Sequence, residues 1–302
     1  MGNNQQALGL ALSGGGARGL AHIGVLRALE EANIRPCCIA GTSIGAVVGA
    51  LYAAGHSVDT LEQEALQLTS LGKLLKFVDW LPSWRGLMNG QSISNHLEKL
   101  LGPGITFADL KLPLGVTATD LISSQGVNIT NGPVIDAVRA SLSLLGIFQP
   151  VHRDGQRLVD GGFLNHLPVE LARALGATVV MAVDVQGSAA CLGQDDGPGI
   201  PRSAFPNLKP PMIQDMIQIN NIMVREITRL RLEQSRPEVI LTPVLGPEVG
   251  TFNGLDQIAN IIHKGFEATQ AILPQIRQAV ERVEQAWPVQ QPMFVTNEFS
   301  YG

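Results

Sequence analysis

The feature of this sequence that most constrains its fold is one pentapeptide, Gly41-Thr42-Ser43-Ile44-Gly45. The apolar run before it, residues 37–40, suits a buried strand, and the apolar run after it, residues 46–54, suits a buried helix. A G-x-S-x-G pattern between a strand and a helix is typical of a nucleophile elbow, a strained turn that exposes a serine hydroxyl above a helix N-terminus. The alternative interpretation is a plain glycine-rich turn in which Ser43 caps the helix.

A second glycine-rich segment follows the first predicted strand, residues 7–12, and reads Ser13-Gly14-Gly15-Gly16-Ala17-Arg18-Gly19. It also fits G-x-G-x-x-G, the fingerprint of dinucleotide-binding folds, which requires an acidic residue at the end of the next strand. The Ser43 pentapeptide occupies that place, and Glu30 and Glu31 fall within a predicted helix over 18–33. An oxyanion hole of backbone N–H groups explains both glycine-rich segments. A phosphate site and a structural turn are the alternatives.

A third segment, Leu158-Val159-Asp160-Gly161-Gly162, ends an apolar run with an aspartate and two glycines. An Asp-Gly pair is a common turn signal, so an ordinary turn is one interpretation. The other makes Asp160 a base, because a serine hydroxyl needs a partner that accepts its proton before it attacks a carbonyl. The glycines would let that partner approach Ser43 closely.

In this order, the three segments resemble those of the patatin-like phospholipases, most closely the small bacterial members related to the neuropathy-target-esterase branch. The resemblance covers residues 8–175 strongly and the helical remainder more weakly. Residues 139–151 also resemble a family segment, although Leu145 and Gln149 replace two of its prolines. The resemblance implies a three-layer α/β/α fold with a mainly parallel central sheet, a Ser43–Asp160 dyad and an oxyanion hole in residues 14–19. It implies hydrolysis of phospholipid or lysophospholipid esters without a metal or other cofactor.

Two other functions remain open. A Ser-His-Asp esterase of soluble esters would need a histidine, and His166 and His263 are the candidates. A non-catalytic lipid-binding protein could keep the same fold. We expect His22 to pack or to face solvent, and Arg18, the one charge in its loop, to form a structural ion pair rather than to bind a lipid headgroup.

Strands that alternate with helices predict an α/β fold with a covered, mainly parallel sheet. We expect a catalytic core over 8–175, the remaining strands and C-terminal helices of the same domain over 176–286, and a tail over 287–302. Further strands are predicted over 114–119, 125–130, 157–159, 178–185 and 239–241. Further helices are predicted over 133–141, 168–175, 211–234 and 255–286.

The net charge and the cysteine content indicate which binding partners and which cell compartment to expect. The net charge of −5 gives no reason to expect nucleic-acid binding, and we expect no nucleotide. The three cysteines form neither a disulfide framework nor a zinc pattern, which favours the cytoplasm.

No apolar run is long enough to span a membrane. Residues 68–88, with Trp80 and Trp84 among cations, predict either a peripheral contact with the inner membrane face, a lid, or a cover over the core. Residues 212–232 predict a core helix.

Overall fold

The computed structural model describes residues 8–67, 90–144, 148–187, 211–246, 249–250 and 254–286. Its strands are β1 (Leu8–Leu12), β2 (Cys38–Gly41), β3 (Leu114–Asp120), β4 (Gln125–Ile129), β5 (Val151–Arg153), β6 (Gln156–Asp160), β7 (Val179–Val183) and β8 (Val239–Leu241). Its α-helices are α1 (Ala21–Glu31), α2 (Ile44–Ala53), α3 (Val58–Gln67), α4 (Gln91–Leu101), α5 (Val134–Ser141), α6 (Val169–Ala174), α7 (Pro211–Ser235) and α8 (Ile258–Ala286). Single 3₁₀ turns form at Gly16–Leu20, Phe107–Asp109, Gly161–Phe163 and Leu255–Gln257.

The eight strands form one sheet in which β1 is central. It pairs in parallel with β2 on one side and with β7 on the other, and β8 extends this parallel region beyond β7. Strand β3 pairs in parallel with β2, whereas β4, β5 and β6 are antiparallel to their neighbours. The predicted α/β fold with a mainly parallel central sheet is therefore confirmed.

Strand β3 brings the ends of two other strands together. Val116 pairs with Gly41 of β2 on one edge and with β4 on the other edge. Two residues further along, Ala118 pairs with Asp160 of β6 and again with β4. Because a strand residue has one neighbour on each edge, β2 and β6 lie on the same edge of β3 and run toward each other. Their carboxyl ends meet beside Thr117, and this meeting point positions the candidate site.

Helices cover the sheet on both faces. One face carries the larger apolar cluster, in which fully buried side chains of β1 and β2 pack with those of α1 and α8, including Leu10, Leu12, Leu26, Ile39 and Ile261. The other face is covered by α6 and by Leu232 of α7, which pack on small side chains such as Ala11, Ala40 and Ala182. The three layers follow from strands that are buried on both faces.

Helices α1 and α8 touch backbone to backbone. A Cβ atom on Gly24 would overlap the carbonyl oxygen of Ile262, and a Cβ atom on Gly265 would overlap that of Ala21. Each helix thus presents a glycine to the main chain of the other, so both positions require the absence of a side chain. This contact anchors the C-terminal helix against the first helix of the fold.

Most predicted elements are present with their ends shifted by at most three residues, but five regions differ. The predicted helix over 18–33 divides into the Gly16–Leu20 turn and α1, and β5, α3 and α4 were not predicted. Helix α7 was expected to lie in the core, yet Ile222 and Met223 are 55% and 56% exposed, whereas Val224 and Thr228 are buried. The core prediction for this helix is wrong along that exposed face, because only part of its surface meets the sheet.

Several predictions concern residues outside the described ranges, namely the segment 68–88, the loop before α7, Cys191 and the tail 287–302. No helix in the described ranges is long and apolar enough to cross a membrane.

Candidate active site

Ser43 occupies a strained turn between β2 and α2. Its φ of 53° and ψ of −121° lie outside the regions that non-glycine residues usually adopt. It stands at the N-cap position of α2, but its side chain makes no capping hydrogen bond, so the capping interpretation is wrong. Its backbone N–H instead donates to the hydroxyl of Ser141 at 2.7 Å. Strain of this kind persists where surrounding contacts fix the backbone, and it is frequent in functional sites.

The rest of the pentapeptide holds this turn in place. A Cβ atom on Gly41 would lie 2.6 Å from the backbone nitrogen of Ala46, and one on Gly45 would lie 2.6 Å from the carbonyl oxygen of Ser13. Thr42 is fully buried, and its Oγ1 lies 2.7 Å from Oγ1 of Thr117 in β3. The glycines allow the close approach, and Thr42 ties the turn to the point where β2 and β6 meet.

Asp160 ends β6 at the same point and faces Ser43. The carboxyl is 7% exposed, and its Oδ1 accepts a 2.7 Å hydrogen bond from the N–H of Gly162. The Ser43 side chain also interacts with this carboxyl and favours its ionised form. Burial raises the pKa of Asp160 from 3.8 to about 6, although the interactions with Gly162 and Ser43 act in the opposite direction. The arrangement joins a half-buried serine to a carboxylate with a raised proton affinity.

The two glycines after Asp160 differ in their surroundings. A Cβ atom on Gly161 would lie 2.5 Å from the carbonyl oxygen of Thr117, so this glycine lets the end of β6 pack against β3. A Cβ atom on Gly162 would lie 3.0 Å from Oδ1 of Asp160 and 3.0 Å from Nδ1 of His166. A side chain at either position would therefore displace Asp160 or its neighbours.

The C-terminal end of α5 and the two residues after it support both candidate residues, and sequence reasoning gave them no such role. Ser141 accepts from the backbone of Ser43, and the carbonyl oxygen of Ser143 accepts from the N–H of Asp160 at 3.1 Å. The Ser143 hydroxyl is in turn held by Arg139 at 2.6 Å. Residues 139–141 carried part of the family resemblance, which was the one sequence signal that pointed here.

The glycine-rich loop begins beside Ser43. A Cβ atom on Gly14 would lie 3.4 Å from Cβ of Ser43. The N–H of Gly14 donates to the carbonyl oxygen of His166 at 3.2 Å, so it already has a partner. Gly15 and Gly16 have φ of 145° and 59°, and their N–H groups have no backbone acceptor among the residues that the structure describes. Of the predicted oxyanion residues, these two therefore retain backbone donors at the start of the 3₁₀ turn.

The last three residues of the loop have other surroundings. Ala17 is buried, and the Nε of Arg18 donates to the carbonyl oxygen of Val249 at 2.6 Å with the side chain 8% exposed. Gly19 contacts the side chain of Ile44 in α2 without room for a Cβ atom. Arg18 therefore binds the main chain through a carbonyl acceptor, and the ion pair expected for it stays a prediction.

The three histidines considered from the sequence differ in their exposure and in their distance from the site. His263 is 60% exposed on α8 and lies 3.1 Å from Glu267, away from the meeting point of β2 and β6. His166 is 6% exposed and contacts both Gly14 and Gly162. His22 is fully buried with its Nε2 2.9 Å from the carbonyl oxygen of Ser13, so the expectation that it packs is correct. No group of three side chains in the described ranges is arranged to hold a metal ion.

Comparison with known proteins agrees with these features. The family model of patatin-like phospholipases matches residues 10–173. An uncharacterized NTE family protein of Mycobacterium tuberculosis is 36% identical over 199 residues, which cover 66% of this chain and 54% of that protein. Neuropathy target esterase sws of Drosophila melanogaster is 36% identical over 183 residues, 59% of this chain and 13% of that protein.

A third relative, lysophospholipase nte1 of Aspergillus fumigatus, is 37% identical over 182 residues, 60% of this chain and 12% of that protein. The match thus spans about half the length of the mycobacterial relative and about an eighth of the other two. Since the family model covers more than half of the 302 residues, including Ser43 and Asp160, this chain belongs to the patatin-like phospholipase family.

Proposed function

We propose that the chain is a serine acyl hydrolase of lipid esters in which Ser43 is the nucleophile and Asp160 is the base. The observation that carries this proposal is the pairing of the Ser43 side chain with a buried carboxylate whose pKa is raised to about 6. A base works best when its pKa lies near the working pH, because it is then ionised and also holds a proton well.

The proposed reaction has two halves. Ser43 Oγ attacks the acyl carbonyl while its proton passes to Asp160, and the protonated carboxyl then gives that proton to the leaving alcohol oxygen as the ester bond breaks. Water next attacks the acyl-enzyme, with Asp160 accepting one of its protons, and the fatty acid leaves as Ser43 is reprotonated. Both halves pass through a tetrahedral oxyanion, for which we propose the backbone N–H groups of Gly15 and Gly16 as donors.

The geometry favours this dyad over a Ser-His-Asp triad. In a triad the aspartate accepts a hydrogen bond from histidine Nδ1, and Nε2 faces the serine. Here Asp160 interacts with Ser43 itself and accepts from the N–H of Gly162. The ring of His166 interacts with the Gly14 backbone, so the imidazole makes a contact that a triad does not use.

The substrate class comes from the family. The relatives include a lysophospholipase and a neuropathy target esterase, and we propose phospholipids or lysophospholipids as substrates, with hydrolysis of the phospholipase A or lysophospholipase type. We also propose action in the cytoplasm, because Cys37 and Cys38 are free thiols. Peripheral contact with the inner membrane face through residues 68–88 is proposed from sequence alone. Replacing Trp80 and Trp84 with alanine should then weaken binding to phospholipid vesicles and spare hydrolysis of a short soluble ester.

The proposal is tested with purified variants on a panel of phospholipids, lysophospholipids and neutral glycerides. Ser43→Ala should abolish fatty-acid release and labelling by a fluorophosphonate probe, while Ser57→Ala, at an exposed serine outside the site, should label like the wild type. Asp160→Asn should lower turnover by orders of magnitude. Hydrolysis by Ser43→Ala near the wild-type rate would refute the nucleophile, and a wild-type protein that neither labels nor hydrolyses any lipid would favour a lipid-binding role.

A further inference from the structure

Two buried histidines pack against the loop that runs from β1 to the Gly16–Leu20 turn, and the proposed proton transfer uses neither of them. The Nε2 of His22, in α1, donates to the carbonyl oxygen of Ser13 at 2.9 Å. The ring of His166 packs on Gly14, where a Cβ atom would lie 3.2 Å from its Nδ1, and it interacts with the Gly14 backbone. Nε2 of His166 has no partner in the described part of the chain, so Nδ1 is the ring nitrogen that faces this backbone.

These contacts fix two successive peptide groups. The peptide between Ser13 and Gly14 is held at both ends, since its oxygen accepts from His22 and its N–H donates to the carbonyl oxygen of His166 at 3.2 Å. In the peptide between Gly14 and Gly15, the oxygen accepts from the Ser13 hydroxyl at 3.0 Å, and the ring of His166 interacts with the Gly14 backbone. A trans peptide is planar with its C=O and N–H opposed, so anchoring this oxygen also sets the direction of the Gly15 N–H.

The Gly14–Gly15 peptide lies next to the proposed nucleophile, so its orientation affects the proposed reaction. Gly14 adjoins Ser43, with 3.4 Å between the position of a Cβ atom on Gly14 and Cβ of Ser43. The N–H of Gly15 has no backbone acceptor within the described ranges. A donor next to a nucleophile is useful only if it points where the oxyanion forms, because oxyanion stabilisation depends on donors that are already oriented before the reaction.

We propose that His166, supported by His22, is a positioning residue that holds the Gly14–Gly15 peptide so that the N–H of Gly15 stabilises the oxyanion formed on attack by Ser43. This inference rests on the proposed function. In it the imidazole of His166 exchanges no proton with substrate or with Ser43. Its Nδ1–H acts as a fixed donor to the Gly14 carbonyl oxygen, and His22 fixes the preceding peptide in the same way.

The protonation states agree with this role. Nδ1 of His22 and Nε2 of His166 are buried and have no partner among the described residues, as expected for neutral tautomers whose single proton lies on the bonded nitrogen. Burial lowers the pKa of His22 to about 4. Burial also lowers the pKa of His166, against the opposing effects of Asp184 and of the bond to Gly14. Burial therefore favours the neutral form of both rings.

Paired substitutions separate positioning from proton transfer. The amide of Asn lies near the place of histidine Nδ1, and the amide of Gln lies near that of Nε2. His166→Leu should therefore lower kcat about tenfold to a hundredfold with little change in KM, and His166→Asn should recover most of that loss. His22→Met and His22→Gln should behave in the same way with a smaller loss. Thermal unfolding of each variant identifies losses that come from unfolding.

A second measurement follows the oxyanion itself. A fatty-acyl trifluoromethyl ketone adds to a serine hydroxyl and forms a stable oxyanion, so its affinity should fall in His166→Leu by the same factor as kcat and return in His166→Asn. Wild-type kcat and ketone affinity in a folded His166→Leu variant would overturn the inference while leaving Ser43 and Asp160 in place. His166→Asn as inactive as Asp160→Asn, in a folded protein, would overturn it in favour of a catalytic histidine. Full activity of Ser43→Ala would instead refute the proposed function.

Discussion

Replacing Asp160 with asparagine should make the protein more stable at neutral pH while it removes activity. Folding raises the pKa of this carboxyl from 3.8 to about 6, and each pKa unit corresponds to about 1.4 kcal/mol. The ionised carboxylate therefore costs the native state about 3 kcal/mol above pH 6. The asparagine side chain would keep the shape of the aspartate and the acceptor for the N–H of Gly162 without the buried charge.

The pH dependence of this gain has a definite sign. Between pH 4 and pH 6 the unfolded chain has already lost the proton that native Asp160 still holds, so the stability of the wild type falls as pH rises through this window. Urea denaturation of wild type and Asp160→Asn should give free energies of unfolding that differ by about 3 kcal/mol at pH 7.5 and by less than about 1 kcal/mol at pH 4.

Asp120 provides a matched control of opposite sign. Hydrogen bonds from the Ser123 hydroxyl and from the backbone N–H groups of Arg157, Ile122 and Ser123 lower its pKa to about 2. Its contribution to stability is present above the ordinary carboxyl pKa and is lost as pH falls toward 2. Asp120→Asn should thus destabilise the protein at pH 7.5. Equal destabilisation by Asp160→Asn, or a gain that does not depend on pH, would refute the conclusion that buried charge at Asp160 costs stability.

Three further predictions follow from the site and from the core. The kcat/KM for ester hydrolysis should rise with pH through about 6 and then level off, because Asp160 must be ionised to accept a proton. A pH profile with a soluble ester tests this prediction, and a kcat/KM that falls over the same range would contradict it. Ser141→Ala removes the acceptor of the Ser43 N–H and should cost about 1–2 kcal/mol in urea denaturation and slow fluorophosphonate labelling. Gly24→Ala should lower the free energy of unfolding by about 1–3 kcal/mol because its Cβ meets the backbone of α8, whereas Gly126→Ala, with 3.9 Å to its nearest neighbour, should be tolerated.

Local sequence patterns predicted those parts of the molecule that local chemistry determines. The strand, the strained turn and the helix around Ser43 follow from residues adjacent in sequence, and their positions agree with the structure. The sequence does not reveal that β2 and β6 end on the same edge of β3, because that register depends on pairing between residues far apart in the chain. For the same reason the contacts that Ser141 and His22 make near the site were missed, since each contact forms only in the folded chain.

The exposed face of α7 was mispredicted for a related reason. Apolar residues at helical spacing indicate that a helix has an apolar face, but they do not say how far the neighbouring sheet extends along it. A 25-residue helix is about 37 Å long, whereas the five residues of β7 span about 17 Å. Val224 and Thr228 are buried, whereas Ile219 and Met223 are exposed. Sequence alone gives the period of such a helix and leaves its packing partner unknown.

The free energy that the buried charge of Asp160 costs the native state is also what makes this carboxylate a stronger base in the proposed dyad. Protonating a carboxylate with the ordinary pKa of 3.8 costs about 4 kcal/mol at pH 7, whereas protonating one with a pKa of about 6 costs only about 1.4 kcal/mol. The difference, about 3 kcal/mol, equals the cost of burying the charge. A histidine base reaches this proton affinity without desolvation, since its ordinary pKa is already about 6.5. An aspartate must be buried to reach it, and the convergence of β2 and β6 beside Thr117 provides that burial while it brings the carboxylate next to Ser43.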